Sequence, residues 1–264
     1  MYDFTYLRPS SVDAAGAALA GAEDGKIVAG GMTLLPTMKQ RLASPSDLID
    51  LAAVAELKGV SEAGGAVVIC AMTTHAEVAA NATVKARIPA LASLADGIGD
   101  AQVRNRGTIG GSIANAAPAA DYPAAVLGLG ATIKTNQREI AGDDFFTGLF
   151  ETALEPNEVV VSISFPVQTK AAYVKFANPA SRYAIVGVFV AQTSGGVRVA
   201  VTGAGPNAFR VAEMERALAG NFSAAALNGI AVPADDLNSD LHTSAEYRAH
   251  LVSVIAKRAV AAIA

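Results

Sequence analysis

The chain has one cysteine, no tryptophan and only three histidines in 264 residues. A single thiol excludes an internal disulfide and a four-cysteine iron–sulfur site, and within the apolar run Val67 to Met72 it reads as a reduced core residue. The histidines form no ligand set. His75 opens a helix behind Thr74, where it reads as solvated or capping, and His242 and His250 stand in the C-terminal segment without cysteine or carboxylate spacing for a metal. No G-x-x-x-x-G-K-[ST] loop, G-x-S-x-G elbow or H-E-x-x-H pair occurs, so kinase, hydrolase and metalloprotease chemistry lack their residues. Basic residues are outnumbered 20 to 24 by acidic ones and form no stripe, which excludes a general nucleic-acid binder. The start Met1-Tyr2-Asp3-Phe4 has neither a basic nor an apolar leader region, and no apolar run is long enough for a membrane span, so a cytoplasmic protein is expected.

The 52% hydrophobic content in a chain of this length supports a sizeable core shared by two or three lobes. Helix and strand patterns alternate without a low-complexity linker. Ser10 to Asp13 open an alanine-rich helix to about Ala20, a strand runs into Gly30, a helix ends near Arg41, and Asp47 to Leu51 complete a small βαβ lobe. A second lobe starts at the strand Gly64 to Cys70. It holds a helix capped by Thr74 with Glu77 at the box position, a helix over 86–98, and strands near 131–135 and 158–165. A third lobe starts around Thr169, with strands over 172–176, 183–190 and 197–201 and helices near 209–219, 223–229 and 244–263.

Two glycine pairs carry the chemistry. In Ala29-Gly30-Gly31-Met32-Thr33-Leu34, a strand meets a helix through residues that permit positive φ and close backbone approach. Thr33 is placed to cap that helix, and Pro36 falls in its first turn. Such a junction points free N–H groups at one spot and suits a phosphate or pyrophosphate. In Gly107-Thr108-Ile109-Gly110-Gly111-Ser112, small side chains let an extended ligand lie against the backbone. Asp121 follows, placed to cap a helix entered through Pro123. Either turn alone is also an ordinary strand-to-helix turn. Arg104 and Arg106 flank the second pair, as surface charges, as holders of that loop or as residues facing a partner subunit. Gly203-Ala204-Gly205-Pro206-Asn207-Ala208 mimics a dinucleotide fingerprint, but Pro206 removes an N–H and no second parallel strand with a ribose-binding acid follows.

These segments, AGGMTLLPTMKQR at 29–41 and QVRNRGTIGGSIANAAPAADYPA at 102–124, together with EPNEVVVSISFP at 155–166, TGAGPNAFR at 202–210 and SDLHTSAEYRAHL at 239–251, resemble the FAD-binding medium subunits of the molybdenum hydroxylases. That family includes the carbon monoxide dehydrogenase medium subunit and the flavin domain of xanthine dehydrogenase. The resemblance implies an α+β fold: a two-lobe FAD-binding domain of the vanillyl-alcohol-oxidase-like type over 1–168, with lobes of about 1–54 and 55–168, then a smaller α+β domain over 169–264 with an antiparallel sheet and helices.

It implies FAD as cofactor, with the pyrophosphate on Gly30, Gly31, Met32 and Thr33 and on Gly110, Gly111 and Ser112, and with Ala29, Leu34 and Thr108 among the cofactor-binding residues. The isoalloxazine ring is expected near Ile109, Val160 and Lys175, and Asn115 and Asp121 as polar contacts to the ribityl or adenosine part. Lys175, which interrupts an apolar strand, would stabilise an anionic reduced flavin; otherwise it reads as an edge-strand lysine. Electrons would come from an iron–sulfur small subunit, itself fed by a molybdopterin large subunit, in a dimer of heterotrimers. Met32 and Thr33 replace a polar residue and a serine common in the family, and Ala117 stands where an acid often precedes Pro118. The alternatives are a stand-alone FAD-dependent oxidase or reductase of the same two-lobe fold, for which no active-site base or covalent attachment residue is evident, and a scaffold that has lost its flavin, against which the intact glycines argue.

Overall fold

The computed structural model describes residues 1–168 and 170–263, so the expected start of the third lobe at Thr169 lies outside the described residues. The fold is α+β, built on three main sheets. The first is parallel: β1 (Thr5–Leu7), β2 (Gly25–Val28) and β3 (Asp47–Asp50) in the order β1-β3-β2. Parallel strands need crossovers, here α1 (Val12–Gly21) and α2 (Leu34–Lys39). Ser11 caps α1 by accepting the N–H of Ala14, as its position predicts. Thr33 does not cap α2. It stands at the N-cap with helical backbone, so its hydroxyl is not aimed at the following N–H groups, and its carbonyl accepts from the N–H and the hydroxyl of Thr37. Arg41 also leaves the expected helix, with φ at +63°.

The second sheet is antiparallel. β4 (Val60–Ala63) and β5 (Ala66–Cys70) turn over Gly64 and Gly65, both at positive φ. Burial alternates along β5, with Val67 and Ile69 inside and Cys70 half-buried, so the thiol is not the core residue expected. Thr74 and Glu77 form the capping box of α3 (His75–Ala80). The helix expected over 86–98 is two helices, α4 (Ala82–Arg87) and α5 (Pro89–Asp96). Pro89 forces Ile88 out of helical geometry and starts the second.

Next come α6 (Ala101–Arg104), α7 (Ile109–Asn115), α8 (Tyr122–Leu129), β6 (Thr132–Thr135), β7 (Glu139–Ala141) and α9 (Gly142–Phe145). The short pair β8 (Phe146–Gly148) and β9 (Glu151–Thr152) and the strand β10 (Val160–Pro166) complete the lobe. The sheet order is β4-β5-β10-β6-β7.

The third sheet, β11 (Ala171–Ala177), β12 (Ala184–Thr193), β13 (Gly196–Thr202) and β14 (Phe209–Arg210), is antiparallel in that order. α10 (Ala212–Gly220) and α11 (Ala245–Ile263) cover one face, and α8 lies against the other. Hence Ala184 to Ala191 of β12 are buried without alternation, and α8 is buried on every residue. The expected helix near 223–229 is a single 3₁₀ turn at Ala224–Leu227. The fingerprint-like Gly203 turn leads from β13 into antiparallel β14, as no dinucleotide fold does. Among the described residues no helix is long and apolar enough to cross a membrane.

Arg248 on α11 ties this third unit together. It is 4% exposed and donates to the carbonyls of Ile185 and Gly203 at 2.6 and 2.8 Å and to Asp240 Oδ2 at 2.6 Å. Arg248→Met leaves two buried carbonyls without a donor and should cost about 3 kcal/mol of stability. Urea unfolding of the variant against the parent measures this loss, and an unchanged midpoint would deny the role.

Candidate functional site

The two glycine segments belong to different lobes, yet they touch. A Cβ on Gly30 would lie 2.1 Å from the carbonyl oxygen of Arg106 and 2.8 Å from Cα of Gly107, and one on Gly111 would lie 3.3 Å from Cβ of Ala29. Only a residue without a side chain allows Gly30 this approach, and Gly31, at φ +74°, turns the chain away into α2. Beside this junction runs a cleft of about 400 Å³.

The hydrogen-bonding state of the two segments differs. Among the described residues nothing accepts from the backbone N–H groups of Gly30, Gly31, Met32, Thr33 or Leu34, so the first segment presents a row of unused donors. In the second, Ile109 N–H goes to Thr73 O at 3.0 Å, Gly110 N–H to Ala71 O at 2.9 Å and Gly111 N–H to Thr108 Oγ1 at 3.1 Å. Gly110 and Gly111 lie inside the first turn of α7, capped by Thr108. A Cβ on Gly110 would strike Ala71 at 2.5 Å, so this glycine answers to packing against Ala71. The first segment offers donors; the second offers a surface of small residues, Gly110, Gly111 and Ser112. With six and seven residues, α2 and α7 are too short for much of a helix dipole, so what the first segment can offer an anion is its unused N–H groups.

Of the residues singled out in the sequence, Ala29, Gly30, Gly31, Met32, Thr33, Leu34, Thr108, Gly110, Gly111, Ser112, Asn115, Asp121 and Val160 line the cleft. Ile109 is fully buried behind it, and Lys175 stands outside the lining. Asp121 does not cap α8; it is 4% exposed, accepts from the Tyr173 hydroxyl at 2.5 Å and from Lys175 Nζ at 3.2 Å, and pairs with that ammonium at 3.0 Å through Oδ1. Burial pushes its carboxyl up, while Lys175 and Tyr173 pull it down. Lys175 also donates to the carbonyls of Gly97 at 2.9 Å and Arg182 at 3.0 Å, which uses all three ammonium protons.

Other lining residues come from distant segments. Ile27, Leu51, Leu154 and Val159, which belong to one hydrophobic cluster and have Lys26 and Glu158 beside them in the lining, give the cleft an apolar end between the first two lobes, and Ile98, Gly99, Ser181, Arg182 and Tyr183, joined by the bond from Arg182 to Gly99 O, line it beside the third sheet. Arg104 holds the latter by donating to the carbonyls of Ile98 and Gly99, each at 3.1 Å, so it supports the loop, whereas Arg106 is exposed.

His75 is not solvated, contrary to expectation. The bond from its N–H to Gly107 O at 2.9 Å draws the start of α3 inward, and the ring lies 5% exposed at the cleft, tilted 5.3 Å from that of Tyr122. Its Nδ1 and the Tyr122 hydroxyl lack partners among the described residues. Burial, with Arg104 nearby, lowers its pKa to about 4, so the imidazole is neutral.

Comparison with known proteins gives a consistent picture. The family described as "FAD binding domain in molybdopterin dehydrogenase" matches residues 2–168. The chain is 38% identical to the carbon monoxide dehydrogenase medium chain of Hydrogenophaga pseudoflava, over 97% of this chain and 96% of that one. It is 34% identical to the nicotine 6-hydroxylase medium subunit of Paenarthrobacter nicotinovorans, over 97% and 95%. Among solved structures it resembles Hydrogenophaga pseudoflava carbon monoxide dehydrogenase lacking the Mo-pyranopterin moiety, with a TM-score of 0.90 at 38% identity over 99% of this chain and 97% of that one. It also resembles quinoline 2-oxidoreductase from Pseudomonas putida 86, with a TM-score of 0.90 at 29% identity over 99% and 97%.

Two outcomes follow from the geometry. Gly30→Ala forces a methyl group onto the Arg106 carbonyl and should destabilise the fold by about 2 kcal/mol, read as a lowered unfolding midpoint. Between pH 6.5 and about 4 the unfolded chain holds a proton on His75 that the folded chain does not, so stability falls as pH drops through this window, by up to ~3 kcal/mol. Urea unfolding across that range should show a flatter slope for His75→Gln, and an identical slope would refute the assignment.

Proposed function

The chain belongs to the family of FAD-binding domains of molybdopterin dehydrogenases and is an FAD-binding oxidoreductase subunit of that type, and from that membership we propose that it is the electron-transfer subunit of a molybdenum hydroxylase complex. The observation that carries the proposal is the row of backbone N–H donors from Gly30 to Leu34 that no group among the described residues accepts, on residues that line the cleft together with Gly110 and Gly111. A dinucleotide's pyrophosphate needs such donors, and its length needs an extended slot. FAD, when bound, supplies the redox chemistry, accepting electrons from iron–sulfur clusters of a partner and releasing them to an external acceptor.

In this reading Gly30, Gly31, Met32, Thr33 and Leu34 hold the pyrophosphate through their backbone. Ala29, Thr108, Gly110, Gly111 and Ser112 form the surface it lies on, and Asn115 and Asp121 make polar contacts to the ribityl or adenosine part, Asp121 at the ribityl side because it stands at the flavin end. The apolar end at Ile27, Leu51, Leu154 and Val159 suits the adenine, and in this reading Val160, next to Val159 in the chain, lies with it. The opposite end, beside Asp121, Arg182 and Tyr183, suits the isoalloxazine. Lys175 acts there through Asp121 and the carbonyls it clasps, and Ile109 acts from behind the wall.

The relatives' designation as medium chains or subunits supports large and small partners. We propose an iron–sulfur small subunit and a molybdopterin large subunit, arranged as a dimer of heterotrimers. We also propose a division into an FAD-binding domain over 1–168, of two lobes meeting near residue 54, and a C-terminal domain over 169–264; the separate hydrophobic cluster around β12, β13 and α11 supports it. The chain purified with added FAD should retain the cofactor through gel filtration, with flavin absorbance co-eluting, and should not oxidise a carbon substrate without partners. Loss of all flavin would refute the cofactor site, and steady turnover by the isolated chain would favour the stand-alone oxidase.

A further inference from the structure

At the apolar end of the cleft, the segment 153–159 has little regular structure of its own, yet Leu154 and Val159 form a cleft wall. What holds it is Glu158, whose side chain is 0% exposed. Its carboxylate accepts from Arg138 Nε at 2.8 Å and Nη2 at 3.0 Å, from Thr135 Oγ1 at 2.9 Å and from the Glu155 N–H at 2.8 Å. The two-pronged bond from Arg138 fixes the carboxylate plane, and Arg138 Nη2 also donates to Ala153 O at 2.6 Å. Asn136 stitches the same two segments: its N–H donates to Val159 O at 3.0 Å, and its Oδ1 accepts from Val159 N–H at 2.8 Å. Lobe one abuts this turn, since a Cβ on Gly16 of α1 would lie 3.0 Å from Nδ2 of Asn136. Ile27 and Leu51 of lobe one line the same end.

We propose that Glu158 and Arg138 are a positioning pair that sets the width of the adenosine slot and thereby the preference of the cleft for a dinucleotide over a flavin mononucleotide. The proposal rests on the FAD reading above. Glu158 contributes no free lone pair to a ligand, because each carboxylate oxygen already accepts two hydrogen bonds. Its action is to hold Leu154 and Val159 at a fixed distance from Ile27 and Leu51. Arg138→Met removes the two-pronged bond and the strut to Ala153. Glu158→Gln turns an amide N–H₂ toward groups that are all donors, and so opens the same clamp. Neither change touches the donors from Gly30 to Leu34 or the end beside Tyr183.

The full chain, in its native assembly, would be titrated with FAD, with ADP as the adenosine half and with FMN as the flavin half, following fluorescence and heat. Arg138→Met and Glu158→Gln should each weaken FAD and ADP about tenfold and leave FMN unchanged, with partial recovery in Arg138→Lys. Because Arg138→Met leaves the fully buried Glu158 carboxylate without its cation, Arg138→Lys, which keeps a positive charge beside it, is the variant that reads the ADP-to-FMN ratio should the other two prove unstable. Equal weakening of all three ligands, or of none, overturns the proposal, because a pair that only supports the fold would not alter the ratio of ADP to FMN. A parent chain that binds neither FAD nor ADP overturns the FAD reading itself, and this proposal with it.

Discussion

Everything at the site depends on one contact between backbones. Gly30 rests on the Arg106 carbonyl and Gly107, so the parallel sheet of lobe one and the antiparallel sheet of lobe two meet without an intervening side chain. Gly107 is in turn backed by His75 Nε2, which a Cβ there would meet at 2.5 Å, and the Gly107 carbonyl is tied to the His75 N–H. The junction is thus three layers deep: turn, loop and imidazole. A charged imidazole could not sit there without a counter-ion, which is why burial leaves this one neutral.

The far end of the cleft obeys a different rule. Asp121 and Lys175 are separated by 54 residues and meet because α8, which Asp121 precedes, packs on β12 and β13, and β11, which carries Lys175, pairs with β12. The charge pair is almost free of solvent and each member is further satisfied, the acid by Tyr173 and the ammonium by two carbonyls. A buried pair of this kind adds little net stability, but it fixes geometry, since neither partner can move without stranding the other. Gly187 makes room for it: a Cβ there would stand 2.2 Å from the Tyr173 hydroxyl.

What was legible in the chain was local. The Thr74–Glu77 box, the Ser11 cap and the Gly30-Gly31 turn are written in neighbouring residues, and the structure bears them out. The break at Pro89 was also legible, in the rule that a residue before proline leaves the helix, but the apolar period across 86–98 hid it. β4 is mostly exposed and carries no apolar signal, so only its pairing with β5 defines it. The errors at Thr33, His75 and Asp121 share a cause. Each stands at a helix start, where capping is the default, and each is diverted or buried by its surroundings, which no window of sequence contains. Tyr183 and Arg182 reach the cleft only through the pairing of β11 with β12, and nothing in their own neighbourhood marks them.

The burial of α8 on every residue has a consequence for how such a chain can be divided. Its sides are shared between lobe two and the third sheet, with Gly128 letting Phe189 come within 2.7 Å of where a Cβ would sit. Ending the polypeptide near residue 168 would therefore bare an apolar helix face to water, and starting it there would bare the inner face of β12. Along that face neither side has a water-facing surface where the other now lies, so α8 and β12 are each other's cover.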